Sequence, residues 1–444
     1  MVWLLMFGVL WGCSAEKEPT VSSETLTKLT IEPHETMGSI LVASWDQDET
    51  ATSWIEFSVD EGVWLSSPPI ERESGMAEEL VLGVPFSSDV KVRVAWESGG
   101  AIAVGETITA QTADLPDGAP IADSADGDPD QWDNDSPYVL VSTYGVNSQV
   151  DGGWAFIVDR QGRTVWAMPA NTFRISLQTQ LSHDGTQILI DQNSFWAIFD
   201  EGDASQIDRV DIEGNVIATY DTPGMHHPFT ELADGSLVWG SVGTRHMDEL
   251  TKLTPDGTQS ILFECTNEHL GEGHNYCSSN TIYWDETTDT FLYSFYSTNT
   301  VLHIDNQSGE VLNAFGHIDD VWEFDPAESA FWWQHGVHFT DTGTLLVSTK
   351  NEYNGEETMV REYALDEENQ TLVEAWNFGE GEGVFADTMG EADYTTGGNI
   401  LHNYGSTARL REVTPEGDVV WDIQWTADYI GRSTTIPDLY ALYP

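Results

Sequence analysis

The stretch Asp341-Thr-Gly-Thr-Leu-Leu-Val347 decides the fold, because it joins a polar turn directly to an apolar strand. Gly, Asp and Asn turns between short β-rich runs are hairpin signals. The same pattern returns along the chain at 182–190, 233–239 and 396–401. A chain that repeats one hairpin in this way is built from copies of a single structural unit.

A second repeated signal, in which a strand, a polar turn and another strand follow each other, alternates with the first. Its copies lie at 158–162, 210–214, 253–257, 303–309 and 413–417, with a version that lacks the glycine at 365–370. The paired signals recur about every fifty residues, which indicates a radial repeat, since one four-stranded unit cannot bury its own faces. We therefore predict an all-β chain with a six-bladed β-propeller over residues 138–444.

Two segments precede the propeller. Residues 25–113 contain short alternating strands with turn residues between them, which predicts a small β-sandwich of the fibronectin-III or immunoglobulin-like type. Residues 114–137 are acidic and rich in Pro and Gly, and we expect a linker there. A calcium site is the alternative for this stretch, but its acidic residues lack the terminal glutamate of an EF-hand loop; they are Asp126, Asp128, Asp130 and Asp133.

The charge of the chain excludes several classes of partner. It holds 75 acidic and 16 basic side chains, for a formal net charge of −59. Such a surface repels nucleic acid and anionic membranes. The acidity favours either a solvated surface suited to salty surroundings or, as the alternative, binding of calcium or a cationic substrate.

The first twelve residues are apolar, too short to span a bilayer, and followed by Cys13. The run Leu10-Trp-Gly-Cys13 resembles a bacterial lipobox, in which the cysteine becomes the lipidated N-terminus. This predicts a signal peptide over residues 1–12 and an exported cell-envelope lipoprotein, held by the outer membrane and facing the periplasm or the outside. The alternatives are an ordinary signal peptide and a mis-called start codon.

Two histidines occupy the same place in their repeats. His227 lies eight residues before Gly235, and His335 lies eight residues before Gly343. In a propeller, equivalent strand positions converge on the central axis, so we expect both imidazoles on one face near that axis. The strand beginning near Cys277 holds the equivalent place in the blade between them.

Four segments resemble the bacterial arylsulfate sulfotransferases: Met225–Phe229, Ser278–Asp285, Trp333–Gly336 and Glu412–Trp421. The resemblance covers residues 138–444. It implies a six-bladed propeller that moves a sulfuryl group from an aryl sulfate to a phenol through a sulfohistidine, without a cofactor or a metal.

The resemblance also implies roles for individual residues. His335 becomes the nucleophile, His227 its partner, and Asn280 the asparagine of the second motif. Ser278 stands where the family has a histidine, and Tyr296 stands near the family's arginine. Pro228 and Gly336 replace the family's two aspartates, so much of the expected anion clamp is missing.

Sulfuryl transfer places negative charge on the transferred oxygens, so it needs local donors, preferably cations. Arg245 and Lys350 lie on strands leading back to the histidine face and are the candidate cations. His402, on the next strand of its own blade, is a further candidate for substrate contact. The alternative function is a non-catalytic, lipid-anchored propeller that binds a carbohydrate, phenolic or protein ligand.

Cys265 and Cys277 remain as a pair once Cys13 is lipidated. In an exported protein an even number of cysteines favours a disulfide between them. Zinc binding together with His269 and His274 is the alternative, but the spacing matches no common zinc module.

Overall fold

The computed structural model describes residues 26–443 except 61, 99, 145–151, 270–274, 320 and 428. The described residues form 35 strands, one α-helix of four residues and five short 3-10 helices. The predicted all-β class is confirmed. Among the helices in these ranges, none has the length and apolar character needed to cross a membrane. The predicted signal peptide and Cys13 lie outside the described residues.

The chain divides into two compact units. The first comprises the described residues up to Glu32, together with Leu41–Val81 and Asp89–Gln111. The second comprises Pro33–Ile40, Leu82–Ser88 and the chain from Thr112 onward. We expected boundaries of 25–113 and 138–444. The structure differs because it assigns Pro33–Ile40, Leu82–Ser88 and the residues from Thr112 onward to the second unit.

The first unit consists of two β-sheets. One has the order β1-β2-β6, and the other has the order β4-β3-β7-β8 with β5 paired to β3 and β9 paired to β7. Alternate residues of the central strands are buried, as a half-buried strand requires. A fibronectin-III-like topology stays a prediction for this unit. The strands are β1 (Leu26–Pro33), β2 (Leu41–Gln47), β3 (Ala51–Val59), β4 (Leu65–Ser66), β5 (Ile70–Arg72), β6 (Gly75–Val81), β7 (Asp89–Ser98), β8 (Ala101–Val104) and β9 (Ile108–Gln111).

The second unit is built from six antiparallel four-stranded sheets, two of which carry a fifth strand. Its first half contains β10 (Ala122–Gly127), β11 (Tyr138–Thr143), β12 (Trp154–Asp159), β13 (Thr164–Pro169), β14 (Thr179–Leu181), β15 (Ile188–Gln192), α1 (Phe195–Ile198), β16 (Gln206–Val210), β17 (Val216–Asp221), β18 (Met225–Glu231), β19 (Leu237–Ser241), β20 (Glu249–Leu253), β21 (Gln259–Glu264), β22 (Ser279–Asp285), β23 (Thr290–Phe295), β24 (Thr300–Asp305) and β25 (Val311–Gly316). Its second half contains β26 (Glu323–Asp325), β27 (Trp332–Phe339), β28 (Leu345–Lys350), β29 (Thr358–Asp366), β30 (Thr371–Phe378), β31 (Glu391–Tyr394), β32 (Ile400–Asn403), β33 (Arg409–Val413), β34 (Val419–Trp425) and β35 (Ile430–Ile436). The 3-10 helices are Asn267–His269, Tyr296–Thr298, Ala327–Ser329, Gly405–Thr407 and Leu439–Leu442.

These sheets are the blades of the predicted six-bladed propeller. From the innermost strand outward, the blades run β35-β11-β12-β13, β14-β15-β16-β17, β18-β19-β20-β21, β22-β23-β24-β25, β27-β28-β29-β30 and β31-β32-β33-β34. The turn glycines of the sequence pattern have positive φ, 81° at Gly235 and 79° at Gly343, which glycine adopts without steric cost.

The first blade is closed by the end of the chain, because its innermost strand β35 pairs with β11. This pairing joins the two ends of the repeat, so no blade edge is left open where the ring begins and ends. The closing strand β35 therefore lies next to the axis, although no hairpin turn follows it.

The expected linker at 114–137 is corrected by the structure. Residues Ala122–Gly127 form β10, which pairs antiparallel with β34 as a fifth strand of the last blade. Farther along, the Asp133 carboxylate accepts hydrogen bonds from the Gly397 amide and the Ser136 hydroxyl, each at 2.8 Å. An acidic, Gly-containing stretch can add to a sheet edge because edge strands keep one side in solvent.

Candidate active site at the propeller axis

Four innermost strands are interrupted by β-bulges at the same end. The register shifts lie between Met225 and Phe229 in β18, between Ser279 and Thr281 in β22, across 332–337 in β27, and between residues 430 and 433 in β35. A bulge releases backbone groups from the ladder and re-aims side chains, and bulges are frequent next to active sites. The candidate site lies where these four bulges converge.

The first bulge presents two adjacent histidines that are linked to a carboxylate. The Nδ1 atoms of His226 and His227 lie 2.8 Å apart, and Nε2 of His226 lies 2.8 Å from Oδ2 of Asp248. The side chains of all three residues are almost fully buried. A carboxylate can only accept a hydrogen bond, so Nε2 of His226 carries the proton. Nδ1 of His226 is then the acceptor of a hydrogen bond from Nδ1–H of His227. In the neutral pair, Nε2 of His227 then keeps its lone pair.

Asp248 is fixed by its surroundings. Its Oδ2 accepts hydrogen bonds from the amide and the hydroxyl of Ser279, at 2.6 and 2.9 Å. The backbone on either side is tied to Cys277 through bonds from Asp248 N to Cys277 O and from Cys277 N to His246 O. The disulfide between Cys265 and Cys277 is present, as predicted, and it anchors this arrangement.

His335 lies in the third of these bulges and is held as a neutral imidazole. Burial and the nearby positive charge of Arg432 lower its pKa to about 3. Its Nδ1 lies 3.4 Å from the carbonyl oxygen of Trp333, and Tyr296 stacks on its ring with centroids 5.9 Å apart. With Nδ1–H donating to this carbonyl, Nε2 carries the lone pair.

His227 and His335 interact electrostatically. Burial lowers the pKa of His227 well below its usual value, and its neighbours His226, His335 and Arg432 lower it further. The two repeated histidines, which we expected to converge near the axis, are thus close enough for His335 to affect the pKa of His227.

Arg432 is the cation of the site, and the sequence analysis missed it. From the bulge of β35, its guanidinium donates to Glu391 at 2.7 Å, to Asn280 O at 2.9 Å and to Thr281 Oγ1 at 2.6 Å. A guanidinium has five N–H donors, so two are left without a partner among the described residues. The histidines were found by counting back from the glycine of a hairpin turn. This could not find Arg432, because no hairpin turn follows its strand β35.

Two carboxylates from elsewhere in the chain stand in for those missing from the sequence motifs. Asp248, in the loop before β20, bonds to His226, two residues before Pro228, and Glu391 of β31 lies against Gly336 and binds Arg432. Gly336 has φ of 61°, and a side chain at this position would collide with Glu391. The replacement of aspartate by glycine is therefore matched to the neighbouring glutamate.

The remaining predicted residues divide into those near His335 and those away from it. Asn280 is buried and donates to Gln334 O at 2.6 Å, so it holds the backbone beside His335. Lys350 pairs with Asp387 at 3.3 Å, and its charge also lowers the pKa of His335. Tyr296 stacks on His335 as described above.

Three other predicted residues lie elsewhere than directly beside His335. Ser278 and Arg245 line a pocket next to His226. His402 is fully buried on the second strand of its blade and bonds to Ser348 at 3.2 Å. Ser348 is the register partner of His335, so His402 bonds to the residue that pairs with His335.

Within the described ranges, no three His, Cys, Asp or Glu side chains form a group that could hold a metal ion. The cysteines are joined in the disulfide, which contradicts the alternative of zinc ligation, although His274 of that motif lies outside the described residues.

Comparison with known proteins gives one family match. Residues 245–434 match the family described as Arylsulfotransferase (ASST). This range includes His335, Asn280, Glu391 and Arg432, whereas His227 precedes it. No curated protein matches the chain.

Several solved structures are similar to this chain at low sequence identity. A Bacteroides caccae protein of unknown function is 15% identical with a TM-score of 0.44, over 65% of this chain and 94% of that chain. The periplasmic gluconolactonase PpgL of Pseudomonas aeruginosa is 14% identical with a TM-score of 0.42, over 67% and 98%. TolB from Acinetobacter baumannii is 9% identical with a TM-score of 0.46, over 80% of each chain.

The match makes residues 245–434 similar to the arylsulfotransferases, in agreement with the resemblance of the sequence motifs in this part of the chain.

Proposed function

We propose that the protein transfers a sulfuryl group from an aryl sulfate to a phenolic acceptor, with His335 as the nucleophile. The proposal is carried by one observation: two buried, neutral imidazoles, His335 and His227, share their surroundings with the guanidinium of Arg432. The match to the arylsulfotransferase family supports it and does not favour the alternative of a non-catalytic binding protein.

His335 suits nucleophilic attack because its lone pair is free at ordinary pH. With its pKa near 3, protonation does not compete with attack, and the low basicity makes the sulfated nitrogen a good leaving group in the second step. The Trp333 carbonyl fixes the tautomer that points Nε2 away from the backbone.

His227 suits the role of general base. Its Nδ1–H is directed at His226, whose Nε2–H is in turn directed at Asp248, so the lone pair of His227 Nε2 is available. When the phenol gives up its proton to Nε2, the Asp248 carboxylate stabilises the positive charge that develops across the two rings.

Arg432 supplies directed donors for the transferred oxygens. Its ion pair with Glu391 reduces its net field, and Lys350 is similarly paired with Asp387. The site therefore stabilises the transferred oxygens mainly through oriented N–H groups, and less through a net positive charge. Removing one such donor from a transition state typically costs about 10²–10³ in rate, so these paired cations imply a modest turnover.

The surroundings of the histidines suit an aromatic substrate. Tyr296 stacks on His335 and lies 6.0 Å from the ring of Trp333, while the ring of Trp196 lies 6.1 Å from that of His227. Aromatic rings favour offset or edge contacts at these distances.

The reaction then has two balanced steps. His335 Nε2 forms a bond to sulfur while the bond from sulfur to the phenolic oxygen of the donor breaks, and the donor leaves as a phenolate. The acceptor phenol next loses its proton to His227 as its oxygen attacks sulfur, and the sulfur–nitrogen bond breaks. His335 is regenerated, and the proton passes from His227 to solvent or to the departed phenolate.

Incubation of the soluble chain with ³⁵S-labelled p-nitrophenyl sulfate tests the proposal. We expect acid-labile label on the protein, release of p-nitrophenol, and transfer of the label to added phenol. His335→Asn should abolish both labelling and transfer. The matched control is His303→Asn, because His303 is a partly buried histidine that also has a lowered pKa but lies on the third strand of its blade. Labelling that survives His335→Asn would refute the covalent mechanism, and no reaction in the wild-type protein would favour a binding protein.

We also propose that the protein is an exported lipoprotein anchored through Cys13. The lipobox-like run supports this, and the disulfide between Cys265 and Cys277 suits an oxidising compartment. Palmitate labelling of the full chain that is lost in Cys13→Ala would support the anchor, and labelling that persists in this variant would contradict it.

A further inference from the structure

We infer that a pocket beside His226 binds the acceptor, and that this acceptor is a phenol carrying a carboxylate. This side pocket is defined by Phe195, Trp196, Arg245, His246, Tyr276 and Ser278, with His226 and Asp248 at its inner end. The inference rests on the proposed function, because it names the class of molecule that would receive the sulfuryl group.

The side pocket has the size and lining for one aromatic ring with a short substituent. Its volume is about 580 Å³, and Phe195, Trp196 and Tyr276 contribute aromatic side chains to its wall. Pockets for small molecules typically combine such apolar walls with a few polar groups that fix orientation.

The aromatic wall is held in place by the same backbone that carries the histidines. Trp196 Nε1 donates to His226 O at 2.9 Å, and Asn193 Nδ2 donates to the same oxygen at 2.8 Å. Asn193 Oδ1 also accepts from Trp196 N at 3.2 Å. The turn that carries Phe195 and Trp196 is therefore positioned before any ligand arrives, which lowers the entropy cost of binding.

Arg245 gives the side pocket its charge preference. Its guanidinium is exposed and has neither an ion-pair nor a hydrogen-bond partner among the described residues. A free guanidinium is unusual in a chain with 75 acidic side chains, and its planar N–H groups match a carboxylate in a two-point contact. The loop that carries Arg245 is restrained, because the backbone of Cys277 forms hydrogen bonds with the backbone of His246 and Asp248.

The pocket adjoins the proton-accepting histidine. The His226 ring lines it and bonds to His227, and the Trp196 ring lies 6.1 Å from the His227 ring. A ligand with its carboxylate at Arg245 and its ring against Trp196 can thus direct a phenolic hydroxyl toward His227. This arrangement suits a hydroxyphenyl carboxylic acid better than an uncharged phenol.

Calorimetry without a sulfate donor tests the inference independently of turnover. We compare 4-hydroxyphenylacetate with 4-methylphenol, which keeps the ring and hydroxyl but lacks the carboxylate. The wild-type protein should bind the acid about 10–100-fold more tightly, as expected for a charge-assisted hydrogen bond. Arg245→Ala should remove this preference, and Arg245→Lys should keep part of it.

Lys252→Ala is the matched control, because it also removes one positive charge but lies near Asp234 and Asp289 at the turn end of the blades. It should retain the wild-type preference. Equal affinity for the two phenols in the wild-type protein, or a preference that survives Arg245→Ala, would overturn the inference. Arg245-dependent binding of p-nitrophenyl sulfate but not of the acid would also overturn it, by assigning the pocket to the donor. Arg245-dependent binding of the acid in a protein that transfers no sulfuryl group would refute the proposed function and leave the ligand class standing.

Discussion

Replacing Asp248 with asparagine should separate the two halves of the proposed reaction. Asp248 Oδ2 receives the Nε2–H of His226 at 2.8 Å and the amide of Ser279 at 2.6 Å. Because both bonds go to the same oxygen, an asparagine whose amide oxygen takes the place of Oδ2 keeps both of them, but the negative charge is lost. His226 then keeps its proton on Nε2 and still accepts a hydrogen bond at Nδ1, so the relay keeps its direction. What is lost is the stabilisation of the positive charge that develops on the two rings when His227 accepts the proton of the phenol.

The size of the effect follows from the step in which each imidazole acts. General base catalysis contributes about 10²–10⁴ in rate, so transfer to the acceptor should fall by up to this factor when the charge that supports the base is removed. Attack by His335 on p-nitrophenyl sulfate does not use His227 as a base, so labelling of the protein should continue. The bonds from His226 and Ser279 then go to a neutral acceptor instead of a charged one, which costs at most about 1.5–3 kcal/mol of stability.

The assay follows ³⁵S on the protein before and after phenol is added. In Asp248→Asn the label should accumulate and remain on the protein, whereas in the wild-type protein phenol removes it. Asp256→Asn, at an exposed turn, is the matched control and should behave as wild type. If transfer is unchanged in Asp248→Asn, the relay is wrong; if labelling and transfer fall together with the melting temperature, Asp248 is only structural.

Three further predictions follow from the geometry. Donor labelling of His335 should keep its rate from about pH 8 down to about pH 5, because its pKa near 3 leaves it neutral; a rate that halves near the usual histidine pKa would contradict this. Replacing Cys265 and Cys277 together with serine should cost about 2–4 kcal/mol in urea unfolding and speed hydrogen exchange at 242–248; unchanged exchange there would show that the disulfide does not brace the loop. His402 is neutral when folded, with a pKa of about 3, but gains a proton on unfolding below its usual pKa of 6.5. The wild-type protein should therefore lose about 1.4 kcal/mol more stability per pH unit below this value than His402→Gln, and equal slopes in urea unfolding at two pH values would contradict the assignment.

The blades could be predicted because each hairpin turn fixes its own register. A glycine with positive φ sets where a strand starts, so counting back from Gly235 and Gly343 put His227 and His335 at equivalent positions. The disulfide could also be predicted, since it needed only the count of cysteines and the expectation that the protein is exported. These features depend on residues that are close together in the sequence or chemically distinctive.

The rest of the site could not be predicted because it depends on contacts between distant strands. Arg432 enters from the closing strand, which reaches the axis by pairing with β11. Asp248 comes from the loop between β19 and β20, and its link to His226 requires the packing of two blades against Ser279. Strand β10 was missed because its exposed acidic residues look like a linker until the edge of β34 is known.

At Pro228 and Gly336, the departures from the motifs of the family that the sequence resembles therefore move a carboxylate instead of removing it. A propeller brings the ends of six innermost strands together, so a carboxylate or a cation can reach the axis from several blades. Glu391 occupies space that an aspartate at position 336 would need, since any side chain there collides with it. The two arrangements exclude each other at this point, and restoring the family's aspartate alone would displace Glu391 from Arg432. Functional residues in such a fold are best compared by where their side chains lie at the axis, because the same chemical group can come from different positions in the sequence.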